Sequence, residues 1–386
     1  MEVLRTNRLS LKIFLHEQME MVEGTNKLHT AFFTLLRSGL WERDIDCFSA
    51  FPLSSGEWEQ VFRQSLQQTV TGIVYQGLQY LPDSMMPPAP LLIRWTAEAD
   101  AIERRNKEMN KALCELYSLL RSQGLNPVLK KGQGVAQFYE KPLLRECGDI
   151  DLYFNNPRAM YAATVCIRWQ KINVKKMPDK SAFYRWKGMD VEHHSRLFDL
   201  HNPFLQSRAY RLELEKGYDS VSFFPVSDIK VTVPSPFLNL LLLDLHILKH
   251  ALGWGVGLRQ LCDMARACHR LHGKVDSEEM KAACRSLGLE KWNPLLHAFL
   301  TEHLGLQPSC LPYPETAPDA RPLLDIVMKG GNFGYKLAER NQHGQSILRR
   351  KLRTARSFRN NLRFVTNYAP KEAFWLFAGL LKGQIK

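Results

Sequence analysis

Val128-Leu-Lys-Lys-Gly-Gln-Gly134 and, after a short interval, Arg145-Glu-Cys-Gly-Asp-Ile-Asp-Leu-Tyr-Phe154 are the residues on which the reading of this chain turns. Ile150 to Phe154 is rich in β-formers and predicts a strand, so Asp149 and Asp151, two residues apart, share one face while Ile150 turns inward. Two carboxylates crowded on one face repel each other unless a cation lies between them, which is the physical signature of a divalent-metal site. Upstream, Asn126 to Lys130 reads as a short strand. Gly132 to Tyr139 reads as a turn entering a helix, whose backbone amides and positive end suit a phosphate. Lys131 can reach that phosphate, and Arg145, four residues before Asp149, offers a second cation. Taken singly, an Asp-x-Asp pair also fits two solvated acids, and a Lys-Gly turn fits an ordinary bend.

Working outward, Leu28, Phe32, Leu35 and Leu36 recur at helical spacing, and a second helix starts at Ser54-Ser55 with Trp58, Val61, Phe62, Leu66 and Val70 on one stripe. A Pro-rich break at 82–90 precedes a long helix over about 93–123 that ends at Gly124. Pro157 to Trp169 reads as a helix with proline in its first turn. Ala182–Trp186 and Met189–His193, joined by Lys187-Gly188, predict a hairpin. Two short strands, 221–224 and 229–233, and helices from Phe237, Leu258, Ser277 and Trp292 follow. Residues 308–322 read as a Pro-rich surface linker, and a basic helical region closes the chain. The central part is thus a small α/β unit with a mixed sheet.

Transfer of a nucleotidyl or phosphoryl group by two Mg²⁺ ions about 3.5–4 Å apart needs a third acid from a neighbouring strand. Glu192 is the choice, with Asp190 second. If 189–193 is a strand, His194 shares the face of Glu192 and is placed to touch substrate, and His193 points away. His246 and His250, four apart on a helix, lack the His-Glu-x-x-His metalloprotease pattern and read as structural or cleft-lining. Arg259 and Asp263 read as an ion pair or buried anchor.

The 386 residues, 45% apolar and 24% charged, suit a globular protein of two or three structural units. The formal charge of +13 favours anionic partners, and 11 of those excess charges lie between Lys329 and Lys386. The eight cysteines show no Cys-x-x-Cys pair, as expected of reduced thiols in a cytosol. The amino terminus shows no signal-peptide pattern, and no apolar run approaches the roughly 20 residues that span a bilayer. Met19 and Met21 are alternative starts. The arginines at 349, 350, 353, 356 and 363 fit either a nucleic-acid backbone contact or a solvated helix face, the second being preferred.

Leu129-Lys-Lys-Gly132, Arg145, Gly148-Asp-Ile-Asp-Leu152 and Val191-Glu-His-His-Ser-Arg-Leu197 together resemble the nucleotidyltransferase domain of the DNA polymerase beta superfamily, most closely a poorly characterised bacterial branch. Leu245-His246-Ile-Leu-Lys-His250 with Arg259 and Asp263 resembles the helical second half of that branch, and Gly330-Gly-Asn-Phe-Gly334 a segment near the end of some members. The resemblance implies an α+β fold, a polymerase-beta-like palm flanked by N- and C-terminal helical regions. It divides the chain into an extension (1–26), a helical region (27–124), the palm (125–235), a second helical domain (236–307) and a linker with basic helices (308–386). Asp149, Asp151 and Glu192 would bind Mg²⁺, or Mn²⁺, and carry catalysis. Lys131, Gly132 and Arg145 would hold the phosphates.

The implied activity is that of a cytoplasmic transferase moving a nucleoside monophosphate from an NTP to a hydroxyl or phosphate of a sugar, other small molecule, tRNA or protein, releasing pyrophosphate. One departure stands out: where the superfamily has Gly-Ser, this chain has Gly132-Gln133, without the hydroxyl. That leaves an alternative, a weak or inactive module of the same fold that binds nucleotide, RNA or a partner protein.

Overall fold

The computed structural model describes residues 27–177, 180–223, 227–252, 255–330 and 362–385. The extension with Met19 and Met21, the segment from Gly331 to Gly334 and the arginines from Arg349 to Arg356 lie outside the described residues; Arg363 is exposed on a helix at 362–368. The fold is α+β, and the chain divides into two compact units: Met1–Leu66 with Val70–Ala99, and Gln67–Thr69 with Asp100–Lys386.

The first unit is helical: α1 (27–41), most of α2 (Ser55–Gln68), α3 (Thr71–Leu78) and the start of α4 (Ala89–Ser122). The start of α2 is a reciprocal cap, with Ser54 N donating to Glu57 Oε2 at 2.6 Å and Glu57 N to Ser54 Oγ at 3.3 Å. Phe32, Leu35, Leu36, Trp58, Phe62 and Trp95 form its core. Close packing of α1 and α3 requires two glycines, since a Cβ at Gly39 would fall 1.8 Å from the carbonyl oxygen of Ile73 and one at Gly77 2.1 Å from that of Leu35.

The second unit holds a seven-stranded mixed sheet of order β3-β4-β5-β2-β1-β7-β6. The strands are β1 (Val128–Leu129), β2 (Ile150–Tyr153), β3 (Lys175–Lys176), β4 (Ala182–Trp186), β5 (Met189–His194), β6 (Tyr218–Phe223) and β7 (Ser227–Pro234). The hairpin β4–β5 turns at Lys187 and Gly188, both at positive φ (49° and 82°), a twist that matches the flanking strands. One face of the sheet is apolar. Ile150, Leu152, Val191 and Tyr184 pack there against Met109, Leu113, Leu116 and Leu120 of α4 and Ile167 of α6 (Pro157–Trp169). By alternation, Asp151, Glu192 and His194 occupy the opposite face. Tyr117 of α4 joins β1 to β7: its hydroxyl donates to the Pro127 carbonyl and meets Thr232 Oγ1, both at 2.9 Å.

The remaining helices are α5 (Gln133–Ala136), α7 (Pro203–Lys216), α8 (Pro236–Leu252), α9 (Leu258–Arg270), α10 (Ser277–Ser286), α11 (Trp292–Glu302), α12 (Arg321–Gly330), α13 (362–368) and α14 (Pro370–Ile385). Residues 308–322, expected on the surface, instead bury Cys310, Leu311, Tyr313 and Ala320. Ala317 N donates to Pro294 O at 2.8 Å, fastening the stretch to α11. None of the eight cysteines forms a disulfide. Among the described residues no helix is long and apolar enough to cross a membrane.

Asp244 of α8 is a buried carboxyl that accepts from Trp292 Nε1 at 2.6 Å, and its pKa is pushed up to about 7, chiefly by burial. The unfolded chain releases this proton near pH 4, so the folded state binds more protons between pH 4 and 7 and loses stability as pH rises through that window. Asp244→Asn keeps an acceptor for Trp292 and has no proton to lose. Urea unfolding should show the variant gaining on wild type from pH 5 to pH 8 by roughly 2–3 kcal/mol; a constant difference across that range would rule out the buried-acid account.

Candidate active site

The site is assembled by strand register. β2 and β5 run parallel with Asp151 opposite Glu192, so two acids 41 positions apart in sequence stand side by side on the polar face. Asp149 immediately precedes β2 and, with Glu192, lines two adjoining cavities, one of which Asp151 also lines. Asp151 is only 2% exposed. Its Oδ1 lies 2.7 Å from His194 Nε2, and its Oδ2 lies 3.1 Å from Lys131 Nζ, an ion contact that lacks hydrogen-bond geometry. His194 Nε2 is also 3.5 Å from Glu192 Oε2.

Charge sets the protonation pattern. The Asp151 carboxylate, and then burial, raise the pKa of Asp149; burial, and then the Asp151 charge, raise that of Glu192. Burial alone would raise Asp151 too, but Lys131 and His194 outweigh it and hold the group well below the ordinary carboxylate range. Lys131 is pulled down by burial and pushed up further by Asp151 and Asp149, so it stays charged. One carboxylate is therefore firmly ionised and two resist ionisation for want of positive charge.

Such a set fits a divalent cation. Ligand atoms of Asp151, Glu192 and His194 all lie within 4.8 Å of one another, and Asp149 stands outside this group of three. An ionised carboxylate can only accept, so His194 Nε2 carries the hydrogen it shares with Asp151. In this arrangement His194 orients Asp151 and the oxygen donors are left for the ion, a set that suits Mg²⁺ or Mn²⁺. Asp151 Oδ2, buried and without a hydrogen bond, has Lys131 Nζ as its charged neighbour and is an oxygen an ion could take up.

Other residues singled out in the sequence take different places. Gly132 caps α5 at φ +63°, and a Cβ there would sit 3.3 Å from the Asp149 carbonyl, so the backbone passes close to the acidic loop. Yet α5 spans only four residues, too short for the helix-end field the sequence suggested. Gln133 is buried against Met109, so its side chain does not replace the missing hydroxyl. Arg145 lines the cavity, but its guanidinium is paired with Asp263 of α9, Nε to Oδ1 at 3.0 Å and Nη2 to Oδ2. Tyr139 Oη donates to the same carboxylate at 2.8 Å. Asn106 Nδ2 donates to the carbonyls of Leu143 and Arg145 at 2.7 and 2.9 Å, so this polar network straps down the loop that presents Asp149.

Asp263 thus pairs with Arg145, where the sequence suggested Arg259. Arg259, read as part of an ion pair or a buried anchor, lines the cavity. Asp190 pairs with Arg185 at 2.8 Å. His193 is fully buried, 2.7 Å from the Tyr184 hydroxyl, and burial lowers its pKa to about 3. His246 and His250 meet edge to face with ring centroids 4.5 Å apart and line the cleft.

The cleft has two lobes that share Lys131, Asp149, Glu192 and His246. One, of about 250 Å³, is bounded by Gly132, Gly148, Phe183 and Arg259. The other, of about 190 Å³, is bounded by Lys130, Asp199, Lys249 and His250. Lys249 and Lys130 lie 3.3 and 3.7 Å from Asp199, and although burial opposes it, these two charges hold that carboxyl down at about 2.

Residues 54–305, which contain every group described in this cleft, match the family described as "Uncharacterised nucleotidyltransferase". The chain belongs to this family. No curated protein and no solved structure matches it. The match starts later than the resemblance read from the sequence, which began near Lys27, and ends before Gly330. In this chain the sheet is the nucleotidyltransferase palm, and acids from its adjacent strands β2 and β5 line the cleft.

Proposed function

We propose that this nucleotidyltransferase moves a nucleoside monophosphate from an NTP to an acceptor hydroxyl or phosphate, with release of pyrophosphate. The observation that carries the reading is the register of β2 and β5, which sets Asp151 against Glu192 with Asp149 adjoining and Lys131 in contact. Asp149, Asp151 and Glu192 would hold Mg²⁺ or Mn²⁺. When bound, the divalent ion supplies charge neutralisation at the phosphates and polarises the attacking oxygen.

The chain's own groups divide the remaining work. Lys131 and the backbone around Gly132 hold phosphate oxygens. His194 keeps Asp151 oriented. Glu192, half-buried and raised in pKa, takes the acceptor's proton as its oxygen attacks the α-phosphorus and the bond to pyrophosphate breaks. Arg145 acts through the loop it fastens. The proposal extends to the palm as residues 125–235, a second helical domain at 236–307, and a cytosolic setting for the reduced cysteines.

A binding module without turnover is the second reading. It is favoured by the burial of Gln133 and the brevity of α5, which leave the phosphate turn poor in donors. Incubation with each α-labelled NTP and Mg²⁺ or Mn²⁺, scoring pyrophosphate and labelled acceptor, separates the two. Metal-dependent pyrophosphate release is expected; tight nucleotide binding with none of it would favour the module.

A further inference from the structure

We propose that Arg259, at the start of α9, grips the NTP's triphosphate alongside Lys131, and that its lobe of the cleft receives the nucleotide. This deepens the transferase reading and rests on it. Arg259 donates from Nη1 to the Glu146 carbonyl at 3.0 Å, which fixes the guanidinium in the cavity wall. Its Nε is buried and makes no hydrogen bond. A buried donor left without an acceptor is costly unless a ligand supplies one.

The other guanidinium of this lobe cannot serve, because Arg145 is held by Asp263, the Glu146 carbonyl and Cys147 Sγ. Asp263 is thereby spent on Arg145, and Arg259 has no carboxylate within ion-pair distance among the described residues. Burial, and then the like charge of Arg145, lower its pKa, so a polyanion entering the lobe relieves both penalties. A planar fork of N–H donors matches neighbouring phosphate oxygens better than a point charge does. Phe183, Leu243 and Ile247 also line this lobe and give it apolar surface of the kind a nucleobase uses. Arg259 would thus replace the hydroxyl that Gln133 does not provide.

The test measures dissociation constants of Mg²⁺-NTP, inorganic tripolyphosphate and NMP for wild type, Arg259→Gln and Arg259→Lys, with circular dichroism confirming the fold. Arg259→Gln should lose roughly 10- to 100-fold in affinity for NTP and tripolyphosphate and change little for NMP. Arg259→Lys keeps a cation but not the fork and should lose several-fold; it decides the matter if the glutamine variant does not fold. Wild-type NTP affinity in a folded variant overturns the assignment, as does equal loss of NTP and NMP. If wild type binds no NTP with Mg²⁺ or Mn²⁺, the transferase reading falls and the assignment with it.

Discussion

Asp151→Asn is expected to cut pyrophosphate release at least 10²–10³-fold, the scale of removing one preorganised electrostatic group from a reaction centre, while the chain stays folded. Asparagine matches aspartate in shape, and its Oδ1 can still accept from His194, so β2 keeps its register with β5. What disappears is the one carboxylate held firmly ionised at the centre of the cluster. Asp149 and Glu192, raised in part by that charge, should then titrate at lower pH, and Lys131 loses its partner. Because the folded pKa of Asp151 is depressed, its contribution to stability is present above the unfolded value and lost as pH falls through the folded one. The variant should therefore be less stable than wild type at neutral pH and close to it in acid. Near-normal turnover by a folded Asp151→Asn protein would remove the acid pair from the chemistry.

The second large effect falls on stability. Arg145→Ala should cost about 3–5 kcal/mol, the range for removing one partner of a buried ion pair. Asp263 is left 3% exposed, with the Tyr139 hydroxyl but no opposite charge. On the ordinary scale of about 5–15 kcal/mol for a whole domain, this is a large fraction. Arg145→Ala with Asp263→Ala should recover part of the loss, because no uncompensated charge remains. Urea denaturation of wild type, Arg145→Ala, Asp263→Ala and the double variant closes the cycle. If Arg145 instead served mainly as a phosphate ligand, as its place before Asp149 suggested, the single variant would raise KM for NTP at nearly unchanged stability.

Local rules made much of the fold readable. Pro157 behind the Asn156 cap marked the start of α6, Lys187-Gly188 marked the hairpin, and the β-formers after Asp149 marked β2. Strand alternation put Glu192 on the face away from Val191, but Asp190 shares that face, so alternation could not choose between the two acids. The pairing of Asp151 with Glu192 could not be read this way either, because the register of parallel strands depends on a crossover and on packing against α4 and α6. Arg145 and Asp263 are 118 residues apart, so the sequence offered Arg145 as an available cation and hid its partner.

The helix α7 escaped for another reason. Phe204 and Leu214 are 71% and 66% exposed, which blurs the amphipathic stripe, although Asn202 followed by Pro203 is a start signal that could have revealed it. Residues 308–322 looked like a linker because of their prolines, yet Cys310, Leu311 and Tyr313 are apolar enough to be drawn inside. Gln133 looked like an altered phosphate contact only because its neighbour Met109 lies on a distant helix.

The most direct measurement is Mn²⁺ binding followed by electron paramagnetic resonance, with an NTP analogue that cannot be cleaved. Wild type should bind Mn²⁺ with nucleotide present, and Asp151→Asn with Glu192→Gln should lose that signal while remaining folded. Equal Mn²⁺ binding by both proteins, or none by wild type, would contradict a metal-dependent nucleotidyl site built on Asp151 and Glu192.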